Sequence, residues 1–304
     1  MEQSNMTALV SAFTRAYHSK NNKIKVFDDS MAVKFLTEKE YWQISSSMGQ
    51  GIHYFNPDFI GSDKEALRWI VDNQLSPSPL GRAAYTEKML ENAVKIGAKQ
   101  YLIFAAGFDT FAYRQPIYAN KLEIFEIDRP LASLEKQKRA KLINNKAIVN
   151  LNYIQADFSI PDWQNSLLLC SAFDRSAISF CSLLGISYYL SRSDFRNLIF
   201  SISNIVPNGS SIVFDYPDQN TFTEYASKRV KKQLAMTSTV NEAMCASYSY
   251  MEMEQILAEY GFLIYEHLEP QEITEQYFKE YNLANPKYPM IAFENVNYCL
   301  GTKK

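Results

Sequence analysis

The sequence predicts an α/β fold built on a doubly wound, mostly parallel sheet. Short apolar runs rich in Ile, Leu, Tyr and Phe recur along the chain, as expected for strands buried on both faces. Segments with helical spacing separate these runs, and parallel strands need such crossovers. The runs predict parallel strands at residues 100–105, 122–128, 152–155, 177–181 and 211–215.

Two later runs predict a different pairing. Residues 263–268 and 295–301 have strand character and flank a turn between Pro286 and Pro289. Strands joined by a short connection can run in opposite directions. We therefore expect an antiparallel pair at one edge of the sheet.

The first third of the chain is predicted to be helical. Pro77 and Pro79 follow it, and because the residue before a proline avoids α-helical geometry, they predict the end of a helix. The next helix is then expected at residues 83–96, with Gly97 as its cap. Apolar positions at helical spacing indicate helices before the prolines at residues 7–20, 32–36 and 64–73, and later ones at 131–144 and 194–205.

Composition narrows the possible functions. The chain has 304 residues, of which 47% are hydrophobic and 21% charged, so we expect a globular protein with a substantial core. Its formal charge of -2 gives no electrostatic reason to expect a nucleic-acid partner. Residues 228–232 carry cations at four positions, and we expect them to form a solvated helix face.

Cysteine usage and hydropathy predict a cytoplasmic protein. The four cysteines lie far apart without CxxC spacing, which indicates reduced thiols and no metal site. Residues 1–6 lack the basic-then-apolar pattern of a signal peptide, and no apolar run is long enough to span a bilayer, so no membrane partner is expected. The cysteines are Cys170, Cys181, Cys245 and Cys299.

The turn after the first predicted strand carries the main functional signal. The small residues at 105–107 let a ligand approach the backbone at the carboxyl end of a strand. Asp109 can accept a hydrogen bond from an N–H at the start of the next helix. Asp128 closes the second strand about 20 residues later, where a carboxylate accepts hydrogen bonds from ribose hydroxyls. Together these features indicate a nucleotide-type cofactor site.

The turn sequence disfavours a dinucleotide. An NAD-dependent dehydrogenase would have Gly-x-Gly-x-x-Gly here, but Ala105-Ala-Gly-Phe-Asp-Thr110 lacks the third glycine. Asp109 would also place negative charge near the diphosphate. A cofactor with a sugar and a base but no phosphate meets neither objection, and S-adenosylmethionine is the obvious member of that class.

Several further motifs extend over nearly the whole chain. They are Arg15-Ala-Tyr-His18, Phe27-Asp-Asp29, Arg82-Ala-Ala-Tyr-Thr-Glu87, Ala106-Gly-Phe-Asp-Thr-Phe-Ala-Tyr-Arg114, Phe125-Glu-Ile-Asp-Arg-Pro130, Ser182-Leu-Leu-Gly-Ile-Ser-Tyr-Tyr-Leu190 and Ile212-Val-Phe-Asp-Tyr216. In this order the motifs resemble the leucine carboxyl methyltransferase-like superfamily, which includes O-methyltransferases of bacterial polyketide pathways and actinobacterial S-adenosylmethionine-dependent methyltransferases. The resemblance implies a class I methyltransferase fold with a Rossmann-like sheet.

The resemblance also implies roles for individual residues. Arg82 would pair with the methionine carboxylate of the cofactor, Gly107 would lie against the cofactor, and Asp128 would hold the ribose. Asp157 and Phe158 would flank the adenine, whose amino group can donate to the Asp157 carboxylate. Leu184, after the fourth strand, would complete the pocket.

Two positions depart from the family pattern. The family turn usually reads Gly-Ala-Gly, and Ala105 stands at its first glycine. Its methyl group either crowds the cofactor or is tolerated at a negative φ. Protein-phosphatase methyltransferases of the superfamily carry a Glu where this chain has Leu184. This difference argues against a protein phosphatase as the substrate.

The predicted organisation is a single methyltransferase domain. Residues 1–80 form a helical N-terminal cap, and residues 81–215 form the cofactor-binding core. An inserted lid at residues 216–250 selects the acceptor together with the cap. Residues 251–304 complete the sheet.

The acceptor is expected to be a small molecule with a carboxylate or, second, a hydroxyl. A carboxylate is ionised near neutral pH and needs no general base. His18, His53 and His267 lack catalytic spacing and are expected to be structural. Tyr188 and Tyr189 are candidates for the acceptor pocket. Two alternatives remain: a catalytically silent S-adenosylmethionine-binding protein and, more distantly, a dehydrogenase.

Overall fold

The computed structural model describes residues 6–143, 147–158, 160–239 and 243–304. The strands are β1 (Gln100–Phe104), β2 (Glu123–Asp128), β3 (Leu151–Gln155), β4 (Ser179–Leu183), β5 (Ser211–Pro217), β6 (Phe262–Leu268) and β7 (Val296–Lys303). The α-helices are α1 (Met6–Asn21), α2 (Glu38–Gln50), α3 (Ile52–Phe55), α4 (Asp63–Ile70), α5 (Pro77–Lys95), α6 (Phe111–Arg114), α7 (Pro130–Ile143), α8 (Asn165–Leu168), α9 (Arg192–Ile205), α10 (Lys228–Thr239), α11 (Tyr250–Glu259), α12 (Pro270–Ile273) and α13 (Lys279–Ala284). Short 3₁₀ helices lie at Ala32–Phe35 and Ile117–Lys121, and π-helical turns at Val71–Leu75 and Thr274–Phe278.

The strands form one mixed sheet in the order β3-β2-β1-β4-β5-β7-β6. Strands β1 to β5 are parallel, whereas β7 runs antiparallel to both β5 and β6. The doubly wound fold and the antiparallel pair at one edge are therefore confirmed. Each predicted strand is present with its boundaries within two residues of those expected.

Helices cover both faces of the sheet. The side chains of β1 point alternately to the two faces and pack against helices on each. Ile103 belongs to an apolar cluster on one face that includes Leu90 of α5. Leu102 points to the opposite face and joins a second cluster with Leu198 of α9. Successive side chains of a strand face opposite ways, so a strand covered on both faces is apolar throughout.

The helical N-terminal region has its own apolar cluster, which includes Phe13, Ile44 and Ile70. Helix α2 supplies Ile44 and was not predicted, because its run of serines weakens the helical signal. A capping box marks its start: Thr37 accepts from the Glu40 N–H and Glu40 accepts from the Thr37 N–H. That pair is the local signal that could have revealed the helix.

A helical turn ends at Leu75 and α5 begins at Pro77, so the prolines mark a boundary as expected, but the expectation that the residue before them avoids α-helical geometry is wrong. Ser76, with φ -79° and ψ -33°, adopts α-helical geometry before Pro77. The ring disfavours this geometry without forbidding it, and at the first helical position the missing N–H has no partner to lose. Helix α5 therefore starts before Arg82, which lies in its second turn. For the helix predicted at 131–144, residue 144 lies outside the described residues.

The cationic segment at residues 228–232 is not a simple solvated face. Arg229 is largely buried and donates to the carbonyl oxygens of Asn73, at 2.6 Å, and Ala292, at 3.0 Å. Lys232 donates to the carbonyl of Phe55. Burial lowers the pKa of Arg229 to about 10. These contacts attach α10, in the predicted lid, to the N-terminal helices and to the segment before β7; residues 240–242 of the lid lie outside the described residues.

The described residues hold the cysteines as free thiols. None of the helices described is both long and apolar enough to cross a lipid bilayer. In the same parts of the chain, no group of three or more His, Cys, Asp or Glu side chains is arranged to hold a metal ion.

Candidate active site

The carboxyl ends of the parallel strands meet where the strand order reverses, between β1 and β4. Ligands of open α/β sheets bind in the crevice at such a point. The turn at 105–110 follows β1, Asp128 ends β2, Asp157 follows β3 and Leu184 follows β4. The fold therefore brings these predicted positions to one edge of the sheet.

Asp128 is fixed to the turn after β1. Its Oδ2 accepts from the Gly107 N–H at 2.7 Å, and its Oδ1 accepts from the Arg129 N–H at 2.8 Å. Gly107 has a φ of 46°, and a Cβ there would come within 3.3 Å of Ala8 in α1. A carboxylate has about four acceptor positions, so Asp128 retains capacity for ribose hydroxyls.

Ala105 adopts a left-handed conformation with a φ of 49°. The alternative that Ala105 is tolerated at a negative φ is therefore wrong. Its side chain packs against the apolar cluster that includes Phe104. For an L-residue the left-handed region costs about 1–2 kcal/mol, so Ala105 strains a turn in which Gly107 has the same conformation at no such cost.

Replacing Ala105 with Gly is expected to raise the free energy of unfolding by up to about 1 kcal/mol, because relief of left-handed strain exceeds the entropy that glycine loses on folding. Denaturant unfolding measures the change. Ala106→Gly is the control: Ala106 has no positive φ, so glycine there should destabilise. Equal destabilisation by the two variants would contradict the strain at Ala105.

Asp109 makes the hydrogen bond expected at the start of the next helix, although Thr110 is the residue at the N-cap position. Its Oδ1 accepts from the Phe111 N–H at 2.8 Å, at the start of α6. Helix α6 has only four residues. An N–H that would face a pyrophosphate is thus already bonded to a carboxylate, which supports the argument against a dinucleotide.

Aromatic rings surround the end of the crevice beyond β3. The ring of Phe158 lies 5.2 Å from Trp163 and 5.6 Å from Phe104, between ring centroids. Asp157, the preceding residue, lines the same end of the cavity. A ring and a carboxylate side by side could stack on adenine and accept from its amino group.

Arg82 occupies the opposite end of the crevice and pairs with a buried acid. Its Nη1 lies 3.2 Å from Oδ2 of Asp215, which lies near the end of β5. Asp215 also accepts from the Gly185 N–H, at 2.6 Å, and from the Tyr188 hydroxyl, at 3.0 Å. Burial opposes the charge of Arg82, but Asp215 and Tyr188 outweigh it and raise the pKa of Arg82 above its usual value.

Sequence reasoning did not identify Asp215 as a site residue. The available signal was similar to that for Asp128: an acid at the end of a short apolar run that predicts a buried strand. Asp215 is fully buried, and it fixes both Arg82 and the loop after β4.

A buried ionic network joins α1 to the turn and was also missed. Arg15 of α1 pairs with Asp29 and donates to the carbonyl oxygen of Phe108 at 2.8 Å. Asp29 accepts from the Thr110 hydroxyl at 2.7 Å, and Arg114 lies 3.6 Å from it. The contacts of Arg15 and Asp29, residues that only the family resemblance had singled out, hold the N-terminal helix against the turn.

The crevice contains a cavity of about 490 Å³, within the usual range for ligand pockets. Helix α1 contributes Thr7, Ser11 and Arg15 to its wall. Every residue predicted to bind the cofactor lines this one cavity: Arg82, Ala105, Gly107, Asp128, Asp157, Phe158 and Leu184.

A second cavity, of about 260 Å³, adjoins the first. Tyr189 lines both cavities, whereas Tyr188 lines only the second. Tyr188 is almost fully buried and its hydroxyl is bonded to Asp215, so only part of its ring is available to an acceptor. The three histidines that were expected to be structural line neither cavity. His18 is buried and accepts a hydrogen bond from the Val26 N–H.

The fold and the site together define a class I methyltransferase with a Rossmann-like sheet. The residues fit S-adenosylmethionine: the cavity offers a carboxylate for ribose at one end and a guanidinium for a carboxylate at the other. Two glycines with positive φ, Gly107 and Gly185, leave space beside the backbone that lines the cavity. A Cβ at Gly185 would lie 2.3 Å from Nη1 of Arg82.

Comparison with known proteins identifies the family. A sequence model of the leucine carboxyl methyltransferase family matches residues 8–203. The Bacillus subtilis (strain 168) protein YktD, provisionally named an S-adenosyl-L-methionine-dependent methyltransferase, is 40% identical over 307 residues, with 99% of each chain covered. The chain belongs to the leucine carboxyl methyltransferase family, and it is an S-adenosylmethionine-dependent methyltransferase with S-adenosylmethionine as its cofactor.

Solved structures share the fold. A DUF574 family protein from Streptomyces avermitilis MA-4680 superposes with a TM-score of 0.60 and 13% identity, covering 97% of both chains. A protein from Thermobifida fusca YX, provisionally named a methyltransferase, has a TM-score of 0.56 and 14% identity, covering 85% of this chain and 94% of that one. At these identities the likeness concerns the fold alone.

Proposed function

We propose that the protein transfers the methyl group of S-adenosylmethionine to an oxygen atom of a small-molecule acceptor, first a carboxylate and second a hydroxyl, in the manner of O-methylation in secondary metabolism. The observation that carries the proposal is the second cavity, which adjoins the first at Arg82 and Tyr189. Its volume of about 260 Å³ suits a small molecule.

The residues that the structure describes at this junction include no histidine, and this supports a carboxylate acceptor. His18, His53 and His267 are all described, and none of them lines either cavity. The nearby Asp215 already accepts hydrogen bonds from Arg82, Gly185 and Tyr188, so its carboxylate is engaged within the fold. A carboxylate acceptor is ionised near pH 7 and gives up no proton when it is methylated.

The reaction requires positioning more than proton transfer. The bound cofactor supplies an electrophilic methyl group on a positively charged sulfur. The acceptor oxygen uses a lone pair to form the new C–O bond, the C–S bond breaks, and its electron pair remains on sulfur, giving a methyl ester and S-adenosylhomocysteine. Arg82 orients one end of the cofactor, while α1 and α10 exclude water; such positioning can account for most of the rate increase.

Two further features support a small acceptor in the cytoplasm. Leu184 replaces the Glu of the protein-phosphatase branch and lines the cofactor cavity, where it offers no charge to a protein substrate. The free thiols suit a reducing compartment. Strain at Ala105 is the observation that favours a silent S-adenosylmethionine-binding protein as the second candidate.

We expect base-labile methylation when the protein is incubated with methyl-labelled S-adenosylmethionine and a small-molecule extract of the source cells. A methyl ester releases volatile methanol in mild alkali, whereas an ether does not. Excess S-adenosylhomocysteine is the control for cofactor-dependent transfer. Label that is stable to base would overturn the proposal that the acceptor is a carboxylate. Label found mainly in protein would overturn the proposal that the acceptor is a small molecule. Saturable cofactor binding without methyl transfer would favour the catalytically silent S-adenosylmethionine-binding protein.

A further inference from the structure

The second cavity opens onto one end of the cofactor cavity only. The residues common to both walls are Thr7, Ser11, Pro79, Arg82, Gly185 and Tyr189. Asp128, Asp157 and Phe158, at the other end, line the first cavity alone. An occupant of the second cavity would therefore meet the cofactor at its methionine end, where the sulfur lies, and not at its adenine.

The wall beyond this junction is mainly apolar. Methionines dominate it, and their flexible side chains adapt to the shape of a ligand. Helices α1, α2 and α10 and the loop that follows α10 supply most of these side chains, so the cap and the lid enclose the space from two sides. The apolar residues are Met6, Val10, Met48, Leu75, Met236 and Met244.

Charge is confined to the junction. Arg82 is the only charged residue in the described wall of the second cavity, and no carboxylate lines it there. Asp215 engages one nitrogen of Arg82, and a guanidinium has five N–H donors. An anionic head group is therefore favoured at the junction, and an apolar body is favoured deeper in.

Two buried polar atoms interrupt the apolar wall. Oγ of Ser78 and Oε1 of Gln233 have no hydrogen-bond partner among the described residues, and both residues line this cavity. A buried polar atom without a partner is unfavourable, so an occupant that supplies a hydroxyl or N–H group here is preferred.

The volume limits the size of the occupant. A cavity of about 150 Å³ accommodates benzene. The second cavity, at about 260 Å³, suits one substituted ring or a fused pair of rings. A folded protein tail would need a larger and more open space.

We infer that the second cavity is the acceptor site and that it selects compact cyclic carboxylic acids carrying a second polar group, an inference that rests on the proposed function. The carboxylate lies at the junction beside Arg82, the ring lies among the methionines, and the second polar group bonds to Ser78 and Gln233.

Calorimetry on the protein loaded with S-adenosylhomocysteine tests this inference, with 6-hydroxy-2-naphthoate, 2-naphthoate and succinate as probes. We expect both naphthoates to bind at least about tenfold more tightly than succinate, because only their rings bury apolar surface. Met236→Trp should fill the cavity and weaken naphthoate binding by at least about tenfold.

Matched variants separate this effect from a general disturbance. Ala235→Trp changes the exposed neighbour of Met236 on α10 and should leave naphthoate affinity unchanged. Gln233→Leu should weaken the hydroxynaphthoate but not 2-naphthoate. In all three variants the affinity for S-adenosylhomocysteine should stay that of the parent.

The inference is overturned if neither naphthoate binds, if succinate binds as tightly, or if Met236→Trp has no more effect than Ala235→Trp. Replacing S-adenosylhomocysteine by S-adenosylmethionine tests the proposed function separately. Binding with the expected variant pattern but without ester formation would contradict carboxyl methylation and support the cavity assignment. Ester formation that Met236→Trp does not reduce would support carboxyl methylation and contradict the assignment of the second cavity as the acceptor site.

Discussion

Replacing Asp29 with Ala is expected to lower the free energy of unfolding by about 3–5 kcal/mol, the usual effect of removing one partner from a buried ion pair. Asp29 is fully buried, and Arg15 would be left with a charge that is nine-tenths buried and no longer compensated. Thr110 and Arg114 would lose the same carboxylate.

Asp28→Ala is the matched control for this experiment. Asp28 is the preceding residue, but its side chain is 54% exposed and pairs with Lys25 on the surface. Exposed pairs contribute about 0–1 kcal/mol, so this variant should unfold nearly like the parent in denaturant. Similar losses for Asp28→Ala and Asp29→Ala would show that the network does not stabilise the fold as described.

The same pair of variants probes the wall of the cofactor cavity. Arg15 lines that cavity, and its guanidinium bonds to the carbonyl of Phe108 in the turn. Under conditions where it remains folded, Asp29→Ala should therefore bind S-adenosylhomocysteine more weakly than Asp28→Ala does. Thermal unfolding with and without the ligand reports this difference, because a ligand that binds only the native state raises the unfolding temperature.

Asp128→Ala is expected to weaken S-adenosylmethionine binding by about 1.5–3 kcal/mol, the usual value of hydrogen bonds to a charged group. This corresponds to a dissociation constant about 10–150 times larger. The substitution removes the acceptor proposed for ribose and also the carboxylate that holds the Gly107 N–H. Calorimetry with S-adenosylmethionine and with adenosine should show both ligands weakened, because both contain the ribose.

Gly185→Ala provides the contrasting variant at the other end of the cavity. Its Cβ would lie 2.3 Å from Nη1 of Arg82 and would displace the guanidinium. Binding of S-adenosylmethionine should weaken while binding of adenosine, which lacks the methionine part, is unchanged. The two assignments are wrong if Asp128→Ala spares adenosine or if Gly185→Ala weakens adenosine as much as the whole cofactor.

The parallel sheet and the principal cofactor residues could be predicted because their signals are local. Buried strands are apolar over short runs, and Asp128 ends such a run at a recognisable distance from the turn. Parallel strands place their carboxyl ends at one edge, so knowledge of the strands was enough to expect the turn, Asp128, Asp157 and Leu184 in one crevice.

The errors arose where a residue's state depends on distant parts of the chain. Arg229 has the local pattern of a surface cation, but it is buried because Asn73 and Ala292 supply carbonyl oxygens to it. Asp215 looked like the end of a strand, and only the packing of α5 against β5 brings Arg82 to it.

By itself, the sequence determined the fold class, the cofactor turn and the positions of the strands, since apolar periodicity, turn residues and strand ends are properties of neighbouring residues. Only the tertiary structure decided the left-handed conformation of Ala105, the start of α5 at Pro77 and the existence of a second cavity. A cavity is enclosed by residues far apart in the chain, from Met6 to Met244, and no local pattern records how closely such residues pack.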